Sequence, residues 1–488
     1  MTKFNVLSTL LIASSIAMPL LAQDGPPPRG NGNNQEQRDP NNNDRPNRGQ
    51  TPPLALSPEE IELQLQQIID TQNLQPIDTS TVNSLPVEHA KVQLGKKLFF
   101  TKNLGGEQSA ACVSCHHPSL GGGDNLSLSV GVNAIDEFNN NAHDLLGVGR
   151  FNGHLQSGAE INLPSVPRNA PSTFNIVLFQ RGLFWDSRVE RLRNSRIATP
   201  DSQLNDQGRR RPDTNLSEQT TLAAAQARFP VTSAEEMRGD FASDANNTEL
   251  RNILSDRLSN QLANISTQWP VEFSQVYGDE SVTPDRIFDA IGEYERSMLF
   301  VNSPWNDYLS SNSDALTDEQ KLGAVLFFTP ANQGGAGCVN CHSGDNFSDE
   351  RHHLVAFPQI GVGKGNVSTT ATSQDFGREN ITNNIADRYH FRTPALLNVE
   401  VTAPYGHSGA YQTLEETVAH YNNPENAIDR LFAAQGGIPF TDGLAPYCLL
   451  PQVSTLMSKN NLNCSDVFSD AYQNSKVIAA HLQQARDN

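Results

Sequence analysis

The chain has 488 residues, 54 acidic against 35 basic, and a formal net charge of −19. That balance argues against a nucleic-acid partner and suits a soluble protein that meets basic partners. A chain of this length usually holds two or more domains, and its six cysteines are few enough to be read one by one.

Met1–Ala22 reads as a secretory signal. Lys3 gives a weakly positive end, Val6 to Ala22 is mostly apolar, and Ala22 suits the last residue before cleavage, although Leu20 is larger than usual two places earlier. Ser8, Thr9, Ser14, Ser15 and Pro19 interrupt the run, which favours cleavage over a retained anchor. No other segment is apolar enough to span a bilayer, so no membrane span is expected after cleavage. Residues 23–56, rich in Pro, Asn, Gly, Arg and Asp, have little to bury and read as a disordered linker.

Order is expected from Ser57. Ser57 caps, Pro58 suits the first helical position and Glu60 closes a capping box, after which Ile61, Leu65, Ile68 and Ile69 share one face. A helix over Val87–Phe100 then leads to Cys112-Val113-Ser114-Cys115-His116. Cys-x-x-Cys-His is the attachment pattern of a c-type haem: both thiols add to the haem vinyls and the histidine reaches the iron. Half a zinc site or a redox pair is the alternative. The motif recurs as Cys338-Val339-Asn340-Cys341-His342, and the repeat is longer than the motif. Leu94–Thr101 matches Leu322–Thr329, and Thr317-Asp318-Glu319-Gln320 caps the second copy as a capping box. Two occurrences, each followed directly by His, favour two covalent haems c over zinc. The expected fold is mainly α, as two cytochrome c-like haem domains with long loops.

Between and after these motifs lie Pro167-Arg168-Asn169-Ala170-Pro171, Phe184-Trp185-Asp186-Ser187-Arg188, Gln226-Ala227-Arg228-Phe229-Pro230 and Ala234-Glu235-Glu236-Met237. Further on come Phe391-Arg392-Thr393-Pro394 and Pro404-Tyr405-Gly406-His407-Ser408-Gly409. With the two haem motifs, these stretches resemble the bacterial di-haem cytochrome c peroxidase and MauG family, from about Leu94 to Leu482. The resemblance implies a peroxidatic haem domain at 57–303 and an electron-transfer haem domain at 304–488. It implies an inter-haem role for Trp185, whose bland alternative is a core aromatic. It makes Glu236 the proton-moving carboxylate, with Glu235 one register away, and Gln226 and Pro230 its neighbours. Asn169, Thr402 and Pro404 match positions that supply oxygens to a calcium ion. His407 falls in a loop near the second haem, and Arg392 matches a partner for a propionate.

Two positions depart from the peroxidase pattern. Val132 stands where many members carry a displaceable histidine ligand, leaving His143 or His154 as substitutes. Tyr421 stands where the second haem's distal methionine would be, as in MauG-like members, with His420 as the rival. An anionic phenolate favours oxidised iron, whereas methionine raises the potential. Cys448 and Cys464 could close a disulfide in an oxidising compartment.

The family reading is a periplasmic enzyme that reduces hydrogen peroxide with electrons from a small redox protein, either a c-type cytochrome or a cupredoxin. A MauG-like enzyme that oxidises residues of a protein substrate through a high-valent iron state is the alternative. A di-haem electron-transfer cytochrome without turnover is a third. A homodimer is left open.

Overall fold

The computed structural model describes residues 56–132, 134–136, 150–151, 166–263, 267–359, 364, 374–433, 475, 476, 479 and 482. The signal segment, nearly all of the linker, His143, His154, Cys448 and Cys464 lie outside them.

The described chain is mostly helical. The helices are α1 (Pro58–Gln72), α2 (Ala90–Phe100), α3 (Cys112–Cys115), α4 (Leu222–Ala227), α5 (Asn247–Ser259), α6 (Trp269–Tyr277) and α7 (Pro284–Ser297). They continue with α8 (Pro304–Leu309), α9 (Asp318–Phe328), α10 (Glu379–Thr382), α11 (Leu414–Asn422) and α12 (Pro424–Ala433). None of the described helices is long and apolar enough to cross a membrane.

The main core forms where α2 meets α7. Leu94, Leu98 and Phe99 of α2 are buried with Ile287, Phe288 and Ile291 of α7. A glycine makes this approach close: a Cβ on Gly95 would sit 1.8 Å from the carbonyl oxygen of Ala290. α4 also comes close to α7, where a Cβ on Gly292 would meet the Ala224 nitrogen at 2.6 Å. The helix before the first motif begins at Ala90, three residues later than the sequence suggests. His89 is its N-cap, accepting the Lys91 N–H on its ring, and Val87 and Glu88 form a turn.

The repeat is visible as α2 and α9, each eleven residues long and each ending at an extended threonine, Thr101 or Thr329. Their surroundings differ. α9 packs against α1: Ile61 and Leu65 bury with Tyr308 and Val325, and Lys321 pairs with Glu62 at 2.9 Å. Both predicted capping boxes are present, Ser57 with Glu60 and Thr317 with Gln320. The first ordered helix therefore lies on the helix that leads to the second motif.

Short strands stitch the centre. β1 (Ile135–Asp136) pairs with β2 (Arg150–Phe151). β3 (Gly182–Leu183), β4 (Val189–Arg191) and β5 (Ile197–Ala198) form an antiparallel sheet in sequence order. β6 (His352–His353) pairs with β7 (Phe391–Arg392), His352 opposite Arg392. These strands have two or three residues each, too few for an alternating pattern to be read from sequence.

Candidate active site and haem-binding motifs

The first motif closes a single helical turn. Ser114 Oγ accepts the Ala111 N–H at 3.0 Å, and the His116 N–H donates to the Cys112 carbonyl at 3.1 Å. The His116 ring sets its Nδ1 3.1 Å from the Gly122 carbonyl. A carbonyl only accepts, so Nδ1 carries the proton and Nε2 keeps its lone pair for a metal. Burial pushes the His116 imidazole down from its usual value, toward the neutral form that ligates. Gly122 adopts φ +79°, and a Cβ there would press on the Thr173 nitrogen at 2.9 Å.

Cys112, Cys115 and His116 line one cavity. Thr173 also lines it, and its hydroxyl is buried without a hydrogen-bond partner. A motif with two thiols, a neutral imidazole with a free Nε2, and an orphaned hydroxyl in one cavity fit a haem.

Trp185, Gln226, Pro230 and Glu236 line the same cavity. Thr221 caps α4 through the Ala224 N–H, and this short helix carries Gln226 near its end. After Pro230 the chain turns into a five-residue π-helix, Ala234–Arg238, capped by Ser233. Ser233 Oγ donates to Glu235 at 2.9 Å and accepts the Glu236 N–H at 3.3 Å. Glu235 is thus tied to its own cap, while Glu236 faces the cavity, with Arg188 Nη2 3.8 Å from its Oε1.

Trp185 sits in a turn with two left-handed residues, Phe184 (φ +68°) and Ser187 (φ +50°). Such backbone persists only when its surroundings over-determine it. Arginines do so here. The carbonyls of Phe184 and Trp185 take the side chain and the backbone N–H of Arg392 at 3.1 and 2.7 Å. Those of Asp186 and Ser187 take Arg378, each at 2.9 Å, and that of Arg188 takes Arg210 at 2.6 Å. The indole N–H donates to the Asn169 carbonyl at 2.9 Å. Below the turn, Arg168 binds Asp186 at 2.6 Å and Asp375 through two nitrogens at 2.6 and 2.7 Å. Burial opposes ionisation of Asp186, but the Arg168 charge, helped by Arg188, prevails and holds the carboxyl well below the usual range.

The second motif has the same logic in a tighter turn. Gly337 (φ +68°) enters it, and the His342 N–H donates to the Cys338 carbonyl at 2.9 Å. His342 Nδ1 lies 2.9 Å from the Phe347 carbonyl, again leaving Nε2 free, and burial again lowers its pKa. Nearby, Asn346 Nδ2 is buried without a partner. Tyr421 is on α11, which a Thr413–Glu416 capping box starts. Burial, and then the Cys341 and Cys338 sulfurs, push its phenol up, although 39 % of the residue is exposed. His420 is 0 % exposed; its Nδ1 is 2.8 Å from the Tyr411 hydroxyl and its Nε2 2.7 Å from the Val355 carbonyl. Both ring nitrogens of His420 are thus engaged.

Residues 89–314 match the family model for the di-haem cytochrome c peroxidase. Residues 89–314, a little under half of the chain, thus carry the sequence of a di-haem cytochrome c peroxidase domain. The chain is 27% identical over 349 residues to cytochrome-c peroxidase IdrP2 of Pseudomonas sp. (strain SCT), covering 68% of this chain and 73% of that one. It is 24% identical over 348 residues to methylamine utilization protein MauG of Methylophilus methylotrophus, covering 71% and 76%. Among solved structures, the diheme peroxidase BthA from Burkholderia thailandensis aligns with TM-score 0.48 and 18% identity, over 83% of this chain and 88% of that one.

The match makes the chain an oxidoreductase of peroxidase type, and the family implies two haem cofactors. Its remaining sequence-derived positions fall as follows. Val132 is fully buried and is not among the residues lining the first cavity. His407 is buried and stacks on Phe391 at 3.7 Å and 12°, and burial pushes its ring down to about 4. It lines a smaller cavity with Asp375 and Phe357. Asn169 gives its backbone N–H to the His407 carbonyl at 2.8 Å and its Nδ2 to the Leu126 carbonyl at 2.9 Å. Thr402 Oγ1 donates to the Val399 carbonyl at 3.1 Å, and Pro404 is buried. Asn169 thus meets the 402–409 loop, but no hydrogen bond joins it to Thr402 or Pro404 among the described residues. Arg392 is buried, and its Nε and Nη1 are both used on backbone carbonyls.

Sequence reasoning gave no role to Arg188, Arg210 or Arg378. The signal for Arg188 was its place three residues after Trp185. The other two stand far along the chain from the turn they hold, and no local pattern marks them.

Proposed function

We propose that this peroxidase carries both haems covalently, one on Cys112, Cys115 and His116 and the other on Cys338, Cys341 and His342. On this reading it reduces hydrogen peroxide at the His116 cavity. The observation that carries it is that Glu236, Gln226, Pro230 and Trp185 line one cavity with that motif. A bound haem supplies the iron that holds peroxide and the electrons that reduce it. Glu236 takes a proton from one peroxide oxygen and returns it to the other. Gln226 and Pro230 shape the space around it. Trp185 is the aromatic step toward the second motif: its carbonyl is bonded to Arg392, and Thr393, the next residue, hydrogen-bonds Asp349, whose N–H donates to the Cys341 carbonyl. The electrons come from a small redox protein, a c-type cytochrome or a cupredoxin.

The engagement of both His420 nitrogens favours the MauG-like alternative as a second reading. Tyr421 as distal ligand suits stabilised oxidised iron and oxidation of a protein substrate. Export by residues 1–22 to the periplasm, haem domains at 57–303 and 304–488, and calcium near Asn169, Thr402 and Pro404 complete the proposal. The test is a pyridine haemochrome assay on acid-acetone-washed mature protein, followed by peroxide mixing. Two retained haems per chain and turnover with a reduced cytochrome or cupredoxin are expected. Fewer than two covalent haems, or two haems inert to peroxide, would sink it; the inert case would leave an electron-transfer cytochrome.

A further inference from the structure

We propose that Arg188 is a further catalytic residue: its guanidinium, beside Glu236, holds the negative charge that develops on the departing peroxide oxygen. The proposal rests on the His116 cavity being the peroxide site. Arg188 lines that cavity, and its Nη2 lies 3.8 Å from Glu236 Oε1. Nη1 makes only long contacts to Asp186, at 3.4 and 3.5 Å, and Nη2 has no hydrogen-bond partner among the described residues. The group lies over the Phe184 ring, with Cζ 3.5 Å from the centroid. The other two arginines of the cavity are committed elsewhere. Arg168 spends Nε, Nη1 and Nη2 on Asp375 and Asp186, and Arg392 spends Nε and Nη1 on carbonyls. Arg188 is therefore the guanidinium that keeps a donor turned toward the carboxylate and available to a ligand.

The chemistry needs such a donor. Hydrogen peroxide takes up two electrons and two protons and becomes two waters, the electrons coming from the haems. At cleavage Glu236 removes the proton from the near oxygen and hands it to the far one. The far oxygen departs with the electron pair of the O–O bond, and carries negative charge until that proton arrives. The near oxygen leaves as the second water once the two electrons and two protons have followed. Glu236 delivers that proton, and until it arrives the charge needs a second, fixed donor. A guanidinium is always protonated, is pre-oriented here, and needs no reorganisation at the moment of cleavage. Removing one such donor typically costs ~10²–10³ in rate.

Fluoride binding to the oxidised holoprotein tests this without turnover, since a small anion on the iron draws on the same donor. Spectral titration with sodium fluoride should give a dissociation constant at least ~10-fold higher in Arg188→Leu than in the parent, and peroxide should react ~10²–10³ more slowly. Arg188→Lys keeps the charge and should recover at least half of each loss on a logarithmic scale, with both haems retained. Parent-like fluoride affinity and peroxide rate in Arg188→Leu would overturn the proposal. Equal losses in the Leu and Lys variants would overturn it too, marking Arg188 as packing for the Trp185 turn. An oxidised parent that takes up no fluoride and ignores peroxide would bring down the peroxide-site reading, and this role with it. Parent activity with unchanged Arg188 variants brings down the role alone.

Discussion

The backbone N–H of Arg392 donates to the carbonyl of Trp185 at 2.7 Å. One bond thus joins the turn that lines the first cavity to β7, which pairs with β6 downstream of the second motif. Thr393 continues the connection, with its hydroxyl 2.8 Å from Asp349. Any displacement of β7 is felt at the indole.

Trp185→Phe tests the path. The substitution keeps an aromatic ring but removes the indole N–H that donates to Asn169 at 2.9 Å. The first haem should still react with peroxide at close to the parent rate, while the response of the second haem slows by at least ~10-fold. Rapid mixing, with the two haems followed separately, reads both. A synchronous response in the variant would make Trp185 a core aromatic only. The lost hydrogen bond should cost about 1 kcal/mol of stability.

Glu236→Gln keeps the shape and removes the proton carrier. Peroxide cleavage should slow by ~10²–10⁴ with both haems still loaded. Glu235→Gln is the control: its carboxylate is held by Ser233 at 2.9 Å and does not line the cavity. It should react at near-parent rates in stopped-flow mixing. A reversed ranking would move the role by one residue.

Tyr421→Met should raise the potential of the second haem and shorten the life of its oxidised products, since methionine favours reduced iron. His420→Phe should leave the potential where it was. It should instead destabilise the fold by ~1–3 kcal/mol through loss of its hydrogen bonds with the Tyr411 hydroxyl and the Val355 carbonyl. Redox titration and urea unfolding of both variants separate ligand from scaffold. An unshifted potential in Tyr421→Met removes the phenolate from the iron.

Glu295 on α7 is 4 % exposed, and its Oε2 has no partner. Burial pushes its carboxyl from 4.5 up to about 8. Between those values the unfolded chain has released this proton and the folded chain keeps it. The contribution is therefore fully present below about pH 4.5 and is lost as pH rises toward 8, at roughly 1.4 kcal/mol per unit. Glu295→Gln should flatten this slope and stabilise the protein at pH 8 more than at pH 5. Urea midpoints at the two pH values measure it; an unchanged slope would mean that Glu295 is ionised in the fold.

Much of this was legible in the sequence because it is local. The Ser57 and Thr317 capping boxes, the haem pentapeptides and the α2/α9 repeat each fit within a dozen residues. The cavity wall was legible only by resemblance: nothing local says that Gln226 and Glu236 should face Cys112. The support of the Trp185 turn was not legible at all. Arg168, Arg210, Arg378 and Arg392 act there from up to about two hundred positions away, and a buried arginine looks like any other in a sequence. The three-residue error at the start of α2 has the same origin in reverse, since His89 is an uncommon cap and Val87 extends the apolar pattern past the true end.

The two copies of the internal repeat carry a glycine at matching places, and only one is still needed. Gly95 is pressed against the Ala290 carbonyl at 1.8 Å from where its Cβ would stand, whereas a Cβ on Gly323 would meet nothing within 4 Å. Alanine at 95 must push α2 off α7 and should cost several kcal/mol, of the order of an overpacked core. Alanine at 323 should gain ~0.5–1 kcal/mol from helix propensity alone. The chain thus contains its own paired experiment: one ancestral residue, inherited twice, constrained in one copy and released in the other. Thermal denaturation of the two variants would show how far the copies have drifted apart.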